Sequence, residues 1–576
     1  MTNAELNCDK EKTKLLTNRK DKIVLIFIFT LLYFTFLFQS LRLVPSQAPF
    51  EDSAMLLRYI ENISNGHGIR WNKDQPPVDG GTDFLYIVTS GFISNPLKAC
   101  SASSTNTNTI DKGYNPTLSI VLRTANITFC LLFVGILFSI LAKPPKRFSL
   151  KKIYLPASIV FVFLFGSGFW YTRAHFPTIF FCIFVFLAYY VVYLISEPSE
   201  NLDNTHQAKS LKSTTIYFAV FCLLMGLARP EGVFLAIFML IGIYISAGKK
   251  IGWAFTKSFL LIFGILGSAY FAWRWWYFGH PLPNPFYKKN SGGLHFTSLR
   301  ISISNVIKFG APFIIIFLIS LKKGLSKQKV GMLIPIILFT IIWVLISNEM
   351  NYMGRFQYPI FVMLGLLAIY CANDVTSILK NKIFLIAFSL IFAAEGAMYL
   401  DNLCQNKSKE FFYNPHPAGR YDLANTLSDF KHKGYTIAVT EAGLLPFYSK
   451  WKAIDCWGLN DSWIAKHKQV TPEYLDRFKP EIIMVHKTPV SDLPGWQKMC
   501  NTLENYAKSR NYILAGSFGR TKSETHDYYV KPNFADADKL VNIIKNYPYI
   551  WFKDRKFAIN FATLKDGKDV NSDLPK

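Results

Sequence analysis

The chain has 576 residues, of which 51% are hydrophobic and 16% aromatic, and its mean hydropathy is positive, at +0.20. This composition is too apolar for a soluble protein of this length and indicates a membrane protein with many spans. The net charge is +25, yet the basic residues cluster in short loops between apolar segments. Clustered basic residues are typical of the cytoplasmic loops of membrane proteins. The sequence has no basic patch interleaved with aromatic residues, so we expect no nucleic-acid partner.

About eleven apolar segments are long enough to cross a bilayer, which takes roughly 20 residues. The predicted spans lie near 23–43, 118–142, 153–170, 177–195, 214–228, 233–248, 256–276, 303–321, 330–347, 358–372 and 383–399. The first segment follows a basic stretch, as in both signal peptides and membrane anchors. It is long for a signal peptide and poor in cleavage signals, so we predict an uncleaved span, with a cleaved signal as the alternative.

The loops between these spans fall into two alternating sets. One set holds almost all the clustered lysines and arginines: the N-terminus and residues 143–152, 197–212, 249–257, 322–329 and 373–382. The other set is less basic and richer in His, Trp, Pro and Asn. The positive-inside rule therefore predicts a cytoplasmic N-terminus, and an odd number of spans places the C-terminus outside, in the periplasm.

Two longer outside loops cover about 45–117 and 277–302. In the first, Leu56, Ile60 and Ile63 recur at helical spacing, which predicts an amphipathic helix lying in the membrane interface, and Phe84–Leu97 resembles a second one. Residues 401–576 alternate short apolar runs with turns and predict a soluble α/β domain. The predicted strands lie near 436–439, 453–455, 481–485, 512–515 and 528–530, with helices at 472–478 and 496–508.

Nine cysteines are present, and three of them, Cys404, Cys456 and Cys500, fall in the polar C-terminal part. A disulfide among these three is one alternative, and three free thiols are the other. No Cys-x-x-Cys motif or other cluster with metal-ligand spacing occurs, so the sequence predicts no metal site. We expect a metal-free reaction, with a divalent metal left open.

Two acids, Glu51 and Asp52, open the first outside loop. Asp before an apolar-periodic run is a good helix N-cap. A carboxylate within hydrogen-bond reach of a hydroxyl can also act as a general base, because it can accept the hydroxyl proton. Both roles suit Asp52, since a capping carboxylate is held in place.

Several basic residues lie in the outside loops. Arg229, in the sequence Arg229-Pro230-Glu231-Gly232, is either the tip of a charged turn or a side chain that points into a cavity. Residues 274–289, RWWYFGHPLPNPFYKK, are either an aromatic belt or a surface where rings stack on sugars and a lysine binds phosphate. Basic groups opposite carboxylates suit an anionic phosphate donor. The candidates outside are Arg173, His175, Arg229, Lys288, Lys289 and Arg355.

Short motifs follow one another in a consistent order over most of the chain. They are Glu51-Asp52, Arg58-Tyr59, Gly66-His67-Gly68, Trp71-Asn72, Pro77-Val78-Asp79-Gly80, Thr82-Asp83-Phe84-Leu85, Arg229–Gly232, Tyr277–Asn284, 441–449, Ile454-Asp455 and Gly458–Asp461. In this order the chain resembles the GT-C glycosyltransferases that use polyprenyl-phosphate sugars, nearest the terminal arabinofuranosyltransferase-like branch. Gly81, Asp83 and Pro285 depart from that branch, so the resemblance does not extend to arabinose as the sugar.

The resemblance implies a mostly α protein: a polytopic GT-C bundle of about eleven spans over 1–400, including the first loop 45–117, followed by a soluble α/β domain over 401–576. It implies an inverting glycosyltransferase in the bacterial cytoplasmic (inner) membrane. The donor would be a polyprenyl-phosphate sugar, because nucleotide sugars are absent outside. The acceptor would be a cell-envelope glycan or glycolipid such as lipopolysaccharide. The alternative is a lipid-linked sugar or polysaccharide transporter (a flippase), which also needs many spans and intramembrane charges.

The resemblance also implies roles for individual residues, with no cofactor beyond the lipid-linked donor as co-substrate. Asp52 would be the catalytic base. Binding of the donor phosphate would fall to Arg58, Arg229, Lys288, Lys289 and Arg355. Substrate binding would fall to Glu51, Tyr59, His67, Trp71, Asn72, Arg173, His175, Glu231, Tyr277, Asn284, Tyr287 and Glu441.

Overall fold

The computed structural model describes residues 50–102, 116–141, 168, 171–172, 174–197, 204–289, 293–378, 383, 386, 419–489, 495–551 and 557–564. Some predicted features lie outside these residues: the span at 23–43, most of the spans at 153–170 and 383–399, the loop at 143–152, Arg173 and Cys404. The predicted orientation of the N-terminus stays a prediction.

Helices make up most of the described chain. In chain order they are α1 (Glu51–Ser64), α2 (Phe84–Ala102), α3 (Pro116–Leu141), α4 (Thr178–Ser196), α5 (Asn204–Ala228), α6 (Glu231–Phe259), α7 (Ile265–Phe278), α8 (Asn284–Lys289), α9 (Phe296–Ser320), α10 (Lys327–Ile341), α11 (Pro359–Ile378), α12 (Gly419–Leu427), α13 (Leu444–Ser449), α14 (Ser462–His467), α15 (Pro472–Phe478), α16 (Trp496–Ser509) and α17 (Ala537–Lys545). The strands are β1 (Thr436–Val439), β2 (Lys452–Asp455), β3 (Ile482–Lys487), β4 (Ile513–Thr521), β5 (Glu524–Val530) and β6 (Ile559–Asn560).

The chain divides into two compact units. The helical unit comprises Met1–Leu43, Arg123–Ser268 and Leu294–Cys404, and the sheet unit comprises Val44–Leu122, Ala269–Gly293 and Gln405–Lys576. The first outside loop therefore groups with the C-terminal domain, whereas the predicted division at residue 400 joined it to the spans. The physical reason is that buried side chains of this loop bond to the C-terminal domain, as the candidate site shows.

Six stretches of the described chain are long and apolar enough to cross a membrane. They are Thr178–Ser196, Leu211–Ala228, Glu231–Phe278, Phe296–Lys323, Lys327–Val344 and Tyr352–Ala372. Each coincides with predicted spans, and α3 coincides with the predicted span at 118–142. The predicted mostly helical membrane architecture is confirmed at this level, while the count of eleven spans stays a prediction.

The longest of these stretches, Glu231–Phe278, has 48 residues and covers two predicted spans. Its backbone is broken at Gly248, with φ 82° and ψ 175°, in the left-handed region that favours glycine. Across the break, the hydroxyls of Tyr244, before Gly248, and Thr256, after it, lie 2.9 Å apart. A straight helix would separate these two residues by about 18 Å along its axis. The chain therefore turns back at Gly248, as two separate spans at 233–248 and 256–276 require.

The C-terminal part of the sheet unit is a six-stranded mixed sheet in the order β2-β1-β3-β5-β4-β6. β1 is parallel to β2 and β3, while β5 is antiparallel to β3 and β4, and β6 is antiparallel to β4. The predicted α/β domain and its five strands are confirmed, with longer β3, β4 and β5. Predicted helix 472–478 coincides with α15, and 496–508 with α16.

The predicted helix in the first loop is α1. Its apolar face is covered by protein: Leu56 and Ile60 are buried, and a Cβ atom at Gly91 of α2 would lie 2.5 Å from the Ile63 side chain. The helix begins at Glu51 after the N-cap residue Phe50, so Asp52 is its second residue. The predicted capping role of Asp52 is therefore wrong, because the helix starts two residues earlier than the apolar pattern indicated.

Two of the three cysteines considered for a disulfide are free thiols. Cys456 and Cys500 are buried in one hydrophobic core, and neither is oxidised. A Cys456–Cys500 disulfide is therefore wrong, and the two side chains act as small apolar groups that fill the core between the sheet and α16.

Candidate active site

The two acids at the start of α1 have different surroundings. The Glu51 carboxylate accepts hydrogen bonds from the backbone N–H groups of Gly443 (2.7 Å) and Leu444 (3.0 Å), and it lies 3.2 Å from the Arg420 guanidinium. Burial raises the pKa of Glu51 to about 7, against the opposite effect of Arg420. Asp52, the predicted base, is partly exposed at the next position. Glu51 therefore anchors the start of α1 to the C-terminal domain and holds the position of Asp52.

Arg58, a predicted phosphate ligand, is buried and bonded to the protein. Its guanidinium donates to the carbonyl oxygens of Trp71 (2.7 Å), Pro446 (2.6 Å) and Trp451 (2.9 Å) and to Asn72 Oδ1 (2.7 Å). It also lies over the Trp71 ring, 4.6 Å from the ring centroid. Burial lowers the pKa of Arg58 to about 10, which leaves it charged at neutral pH. These contacts join the first loop to the C-terminal domain, so the structure gives Arg58 a structural role.

Trp71, Asn72 and Tyr59, three predicted substrate residues, belong to the same junction. Trp71 Nε1 and Asn72 Nδ2 both donate to the carbonyl oxygen of Ala453, at 3.1 and 3.0 Å. Asn72 Oδ1 accepts from the Ala453 N–H at 3.0 Å, and Tyr59 Oη donates to Asn460 Oδ1 at 2.9 Å. The side chains of Trp71 and Asn72 thus form hydrogen bonds with the backbone of β2, the strand at the edge of the sheet.

A polar cleft with a volume of about 490 Å³ opens beside this junction. The predicted substrate residue His67 is exposed on its wall, together with Asn65 and Lys73 from the first loop. Lys431 and His432 of the C-terminal domain also line it. Arg58, Trp71 and Asn72 form its buried base. The cleft can accept a polar or anionic group, with His67 as the predicted residue best placed to touch it.

The segment 274–289 lies against the glycine-rich part of the first loop. Arg274 forms a salt bridge with Asp79, and Tyr277 Oη accepts a hydrogen bond from the Ile69 N–H at 3.2 Å. The Asn284 N–H donates to the Asp79 carbonyl oxygen at 3.0 Å. The Asn284 side-chain amide is fully buried and has no hydrogen bond to any described residue. Arg274 and Asp79 were not predicted as site residues, because at the sequence level Arg274 resembled an interfacial arginine.

The two predicted phosphate-binding lysines end α8. Lys288 Nζ donates to the Lys468 carbonyl oxygen and lies 4.0 Å from the centroid of the Trp457 ring. Lys289 and Tyr287 are partly exposed. The ring of Tyr287 lies 5.8 Å from that of His280. Lys288 is thus held against the C-terminal domain, and Lys289 remains a predicted phosphate ligand.

Glu441, the predicted substrate residue of the C-terminal domain, is the centre of an ionic cluster. It forms a salt bridge with Arg420 and lies 3.2 Å from His486 Nδ1 and 3.6 Å from His526 Nε2. Burial would raise the pKa of Glu441, but Arg420 and His486 hold it well below its usual range. Burial and the nearby imidazole of His486 both lower the pKa of His526, to a value well below its usual range. Arg420, His486 and His526 were missed, since no spacing in the sequence relates them to Glu441.

In the helical unit, two predicted phosphate ligands converge on one aromatic ring. The guanidinium carbon of Arg229 lies 5.0 Å from the centroid of the Phe356 ring, and that of Arg355 lies 5.2 Å from it. These distances place the two cations no more than 5.0 + 5.2 = 10.2 Å apart. Glu231, a predicted substrate residue, accepts from Arg229 Nε at 2.6 Å. The turn after α5 and the turn before α11 therefore form one basic-aromatic cluster.

The segment before α4 and the first turn of α4 add to this cluster. The guanidinium of Arg355 lies 4.1 Å from the centroid of the Phe176 ring, and that of Arg229 lies 5.9 Å from the Phe181 ring. His175, a predicted substrate residue, is 2% exposed and has φ 63°, a conformation that a non-glycine residue rarely adopts. We name the group formed by Phe176, Phe181, Arg229, Arg355 and Phe356 the arginine cluster.

Part of the chain matches a known domain family, and the whole fold is similar to a solved structure. A family model described as a domain of unknown function (DUF8728) matches residues 413–537, which include β1 to β5. No curated protein matches the chain. The crystal structure of ArnT from Cupriavidus metallidurans bound to undecaprenyl phosphate is similar, with a TM-score of 0.51 and 12% identity, over 88% of this chain and 97% of that one. The chain thus shares its fold with that crystal structure, and it combines a helical unit, with stretches long and apolar enough to cross a membrane, and a small sheet domain.

Proposed function

We propose that the chain is an integral membrane glycosyltransferase. It transfers a sugar from a polyprenyl-phosphate donor to a glycan or lipid acceptor of the cell envelope, on the outer face of the bacterial cytoplasmic membrane. The observation that carries the proposal is the convergence of Arg229 and Arg355 on Phe356. The fold likeness supports it, because the similar ArnT crystal structure is bound to undecaprenyl phosphate, a lipid of the same class.

The arginine cluster suits a phosphate. An arginine stacked on an aromatic ring uses the face of its guanidinium, while its N–H donors point outward in the plane of the group. Two such arginines can bind a phosphate through several charge-assisted hydrogen bonds. The Phe356 ring, which is partly exposed, supplies apolar surface of the kind that an isoprenoid chain requires. Lys289, at the end of α8, is a further proposed phosphate ligand.

The proposed reaction is a single displacement. The Asp52 carboxylate accepts the proton of an acceptor hydroxyl while that oxygen attacks the anomeric carbon of the donor. A new C–O bond forms, the bond between the anomeric carbon and the phosphate oxygen breaks, and polyprenyl phosphate leaves with the bonding electron pair. The anomeric configuration inverts. Cations fixed in advance near the leaving group stabilise its growing charge.

The residues around α1 divide into two proposed groups. His67, which lines the polar cleft, and Asn284, whose buried amide has no hydrogen bond to any described residue, are proposed to contact a sugar. Glu51, Arg58 and Tyr59 are proposed to position Asp52, because their polar atoms bond to the C-terminal domain.

The test is turnover by the purified full-length protein in liposomes that contain polyprenyl-phosphate sugars. Mass spectrometry of surface glycans from a strain lacking the protein, against the parent strain, identifies the sugar to supply. The proposal expects release of polyprenyl phosphate and a new glycoside. If the lipid-linked sugar crosses the bilayer intact and no glycosidic bond is formed or broken, the protein is a transporter and the proposal fails.

The proposed orientation has its own test. A reporter that is active only outside the cytoplasm should be active when fused after Lys576 and silent when fused at Lys327, the first residue of α10. An inactive C-terminal fusion of intact protein would place the C-terminal domain in the cytoplasm. A donor carried by a lipid on the outer face would then be excluded.

A further inference from the structure

Three potential metal ligands lie on neighbouring strands of the C-terminal sheet. Glu441 follows β1, His486 is in β3 and His526 is in β5. β1 is parallel to β3, and His486 is directly opposite His526 in the antiparallel pair of β3 and β5. Directly opposite residues point to the same face of a sheet, and the two imidazole centroids are 4.4 Å apart. The sheet register therefore brings together three residues that are 45 and 40 positions apart in the chain.

The separations between the donor atoms suit a small cation. One donor atom of each residue lies within 4.8 Å of the other two. His486 Nδ1 is 3.2 Å from Glu441 Oε1, and His526 Nε2 is 3.6 Å from Glu441 Oε2. Ligands about 2.0–2.2 Å from a tetrahedral zinc ion are about 3.4 Å from one another. The three side chains need only small rotations to share one ion.

A tyrosine orients one of the histidines. His526 Nδ1 lies 2.6 Å from Tyr549 Oη, and Tyr549 Oη lies 3.3 Å from Tyr528 Oη. Metal-binding histidines typically use their second nitrogen in such a hydrogen bond, which fixes the tautomer. When Nδ1 donates to Tyr549, His526 Nε2 carries a lone pair directed at the Glu441 carboxylate.

A lone pair facing a carboxylate is repulsive unless a cation lies between them. His526 is 2% exposed, and its Nε2 has no hydrogen bond to any described residue. We infer that Glu441, His486 and His526 bind one divalent transition-metal ion of the zinc class. Two imidazoles and one carboxylate are a ligand set that zinc favours, and three protein ligands leave a fourth position for water.

The metal would act on more than the sheet. Glu441 also contacts Arg420, which lies 3.2 Å from Glu51 at the start of α1. The ion thus ties β1, β3 and β5 together and fixes the carboxylate that holds Arg420 against the helix bearing Asp52. The site is distinct from the proposed phosphate and base residues, so its existence does not depend on the proposed function.

The test is metal analysis of the full-length protein, purified without a polyhistidine tag, since a tag would bind zinc itself. Inductively coupled plasma mass spectrometry should find about one zinc per chain. Chelation should remove it and lower Tm, and added Zn²⁺, but not Mg²⁺, should restore Tm. Co²⁺ in its place should give the absorption bands of tetrahedral cobalt. Each readout is independent of glycosyl transfer.

Variants locate the ion. His526→Ala and His486→Ala should lose the zinc, whereas His467→Ala, at an exposed histidine of the same domain, should keep it. Tyr549→Phe removes only the orienting hydroxyl and should weaken zinc affinity by about 10–100-fold.

Two outcomes would overturn the inference. The first is a wild-type protein that binds neither Zn²⁺ nor Co²⁺ and keeps its Tm in chelator, which would mean that protons and Arg420 alone satisfy the cluster. The second is a folded His526→Ala protein that retains stoichiometric zinc, which would place the ion elsewhere. If the variants fail to fold, the wild-type metal content and the Tm difference with chelator still decide between these outcomes.

Discussion

The arginines Arg58, Arg229 and Arg355 have different surroundings in the two units. In the sheet unit, the Arg58 guanidinium donates four hydrogen bonds to three carbonyl oxygens and one side-chain oxygen. In the helical unit, Arg229 and Arg355 lie against the Phe356 ring, and Arg229 also donates to Glu231. Arg58 closes a junction between distant parts of the chain. The arginine cluster places two guanidinium groups beside aromatic rings, which suits the proposed binding of a lipid phosphate.

We propose that this difference distinguishes residues that position other groups from residues that bind the ligand. An arginine whose donors all meet backbone carbonyls has a defined partner in the folded protein and stabilises it. An arginine stacked on an aromatic ring gains about 0.5–2 kcal/mol from each such contact. Substitutions can test this distinction, beginning with Asp52, the residue that Arg58 and Glu51 are proposed to position.

The largest effect is expected for Asp52→Asn. The amide keeps the size of the side chain but cannot accept a proton, so the rate of transfer should fall by about 10²–10⁴-fold. The measurement is single-turnover transfer from the lipid-linked donor at saturating acceptor. Asp52 is the second residue of α1 and not its cap, so Tm should change little.

Glu51→Gln is the matched control for Asp52→Asn. The glutamine oxygen can still accept from the Gly443 and Leu444 N–H groups, so most of the rate should remain. Should folded Asp52→Asn protein keep more than about a tenth of the rate while Glu51→Gln loses it, the base would be Glu51.

A loss of stability is expected for Arg58→Ala. The change leaves three buried carbonyl groups and Asn72 without their charged donor, and such losses typically sum to about 3 kcal/mol or more. Thermal unfolding of the full chain should show a clear fall in Tm. In the protein that remains folded, KM for the donor should stay near the wild-type value.

Arg70→Ala provides the comparison within the same loop. Arg70 makes one hydrogen bond to a backbone carbonyl, that of Gln75, at 2.8 Å. Its loss should lower the free energy of unfolding by no more than about 1 kcal/mol. An Arg58→Ala variant with unchanged Tm and a large rise in donor KM would reverse the roles assigned to Arg58 and the arginine cluster.

The sequence specified local elements well and long-range contacts poorly. Strand β1 and helix α15 were predicted with the correct bounds, because a short apolar run between turns and a Thr471-Pro472 helix start are local signals. The role of Arg58 depends on carbonyls at Pro446 and Trp451, nearly 400 residues away. No period in the sequence encodes that contact.

The candidate site shows the same limit. The turn sequences around Arg229 and Arg355 marked both arginines as candidates, but only the packing of the helical unit reveals that they share Phe356. Glu441 was predicted from a motif, whereas His486 and His526 join it through the register of β3 and β5. Register depends on side-chain packing across the whole sheet, so spacing along the chain does not predict it.

A smaller effect on activity is expected for Arg355→Ala. If its guanidinium binds the donor phosphate, its loss should cost about 1.5–3 kcal/mol, which lowers kcat/KM for the donor by about 10–150-fold. Use of the acceptor should change less.

Arg229 is best tested as Arg229→Lys, because alanine would leave the Glu231 carboxylate buried without its cation. Lys289→Ala tests the third proposed ligand.

Arg300→Ala is the control for charge, since Arg300 is an exposed arginine in the same unit, outside the cluster. It should leave donor kinetics unchanged. Wild-type donor kinetics in Arg355→Ala, Arg229→Lys and Lys289→Ala together would show that phosphate is bound elsewhere, and the contrast between the two units would lose its functional meaning.

The smallest effect concerns Asp422, a carboxylate of the sheet unit whose burial raises its pKa to about 7. Because the folded-state pKa lies above the ordinary value of 3.8, the folded chain holds a proton that the unfolded chain has lost between about pH 4 and pH 7. Stability should therefore fall as pH rises through that window.

Asp422→Asn removes the dependence and should raise stability at pH 8 by about 1 kcal/mol or less, since the side chain is partly solvated. Tm measured at pH 5 and pH 8 checks this, with the exposed Asp538→Asn as the matched variant. A wild-type protein that gains stability from pH 5 to pH 8 relative to Asp422→Asn would indicate that a cation neutralises Asp422, as Arg420 does for Glu441.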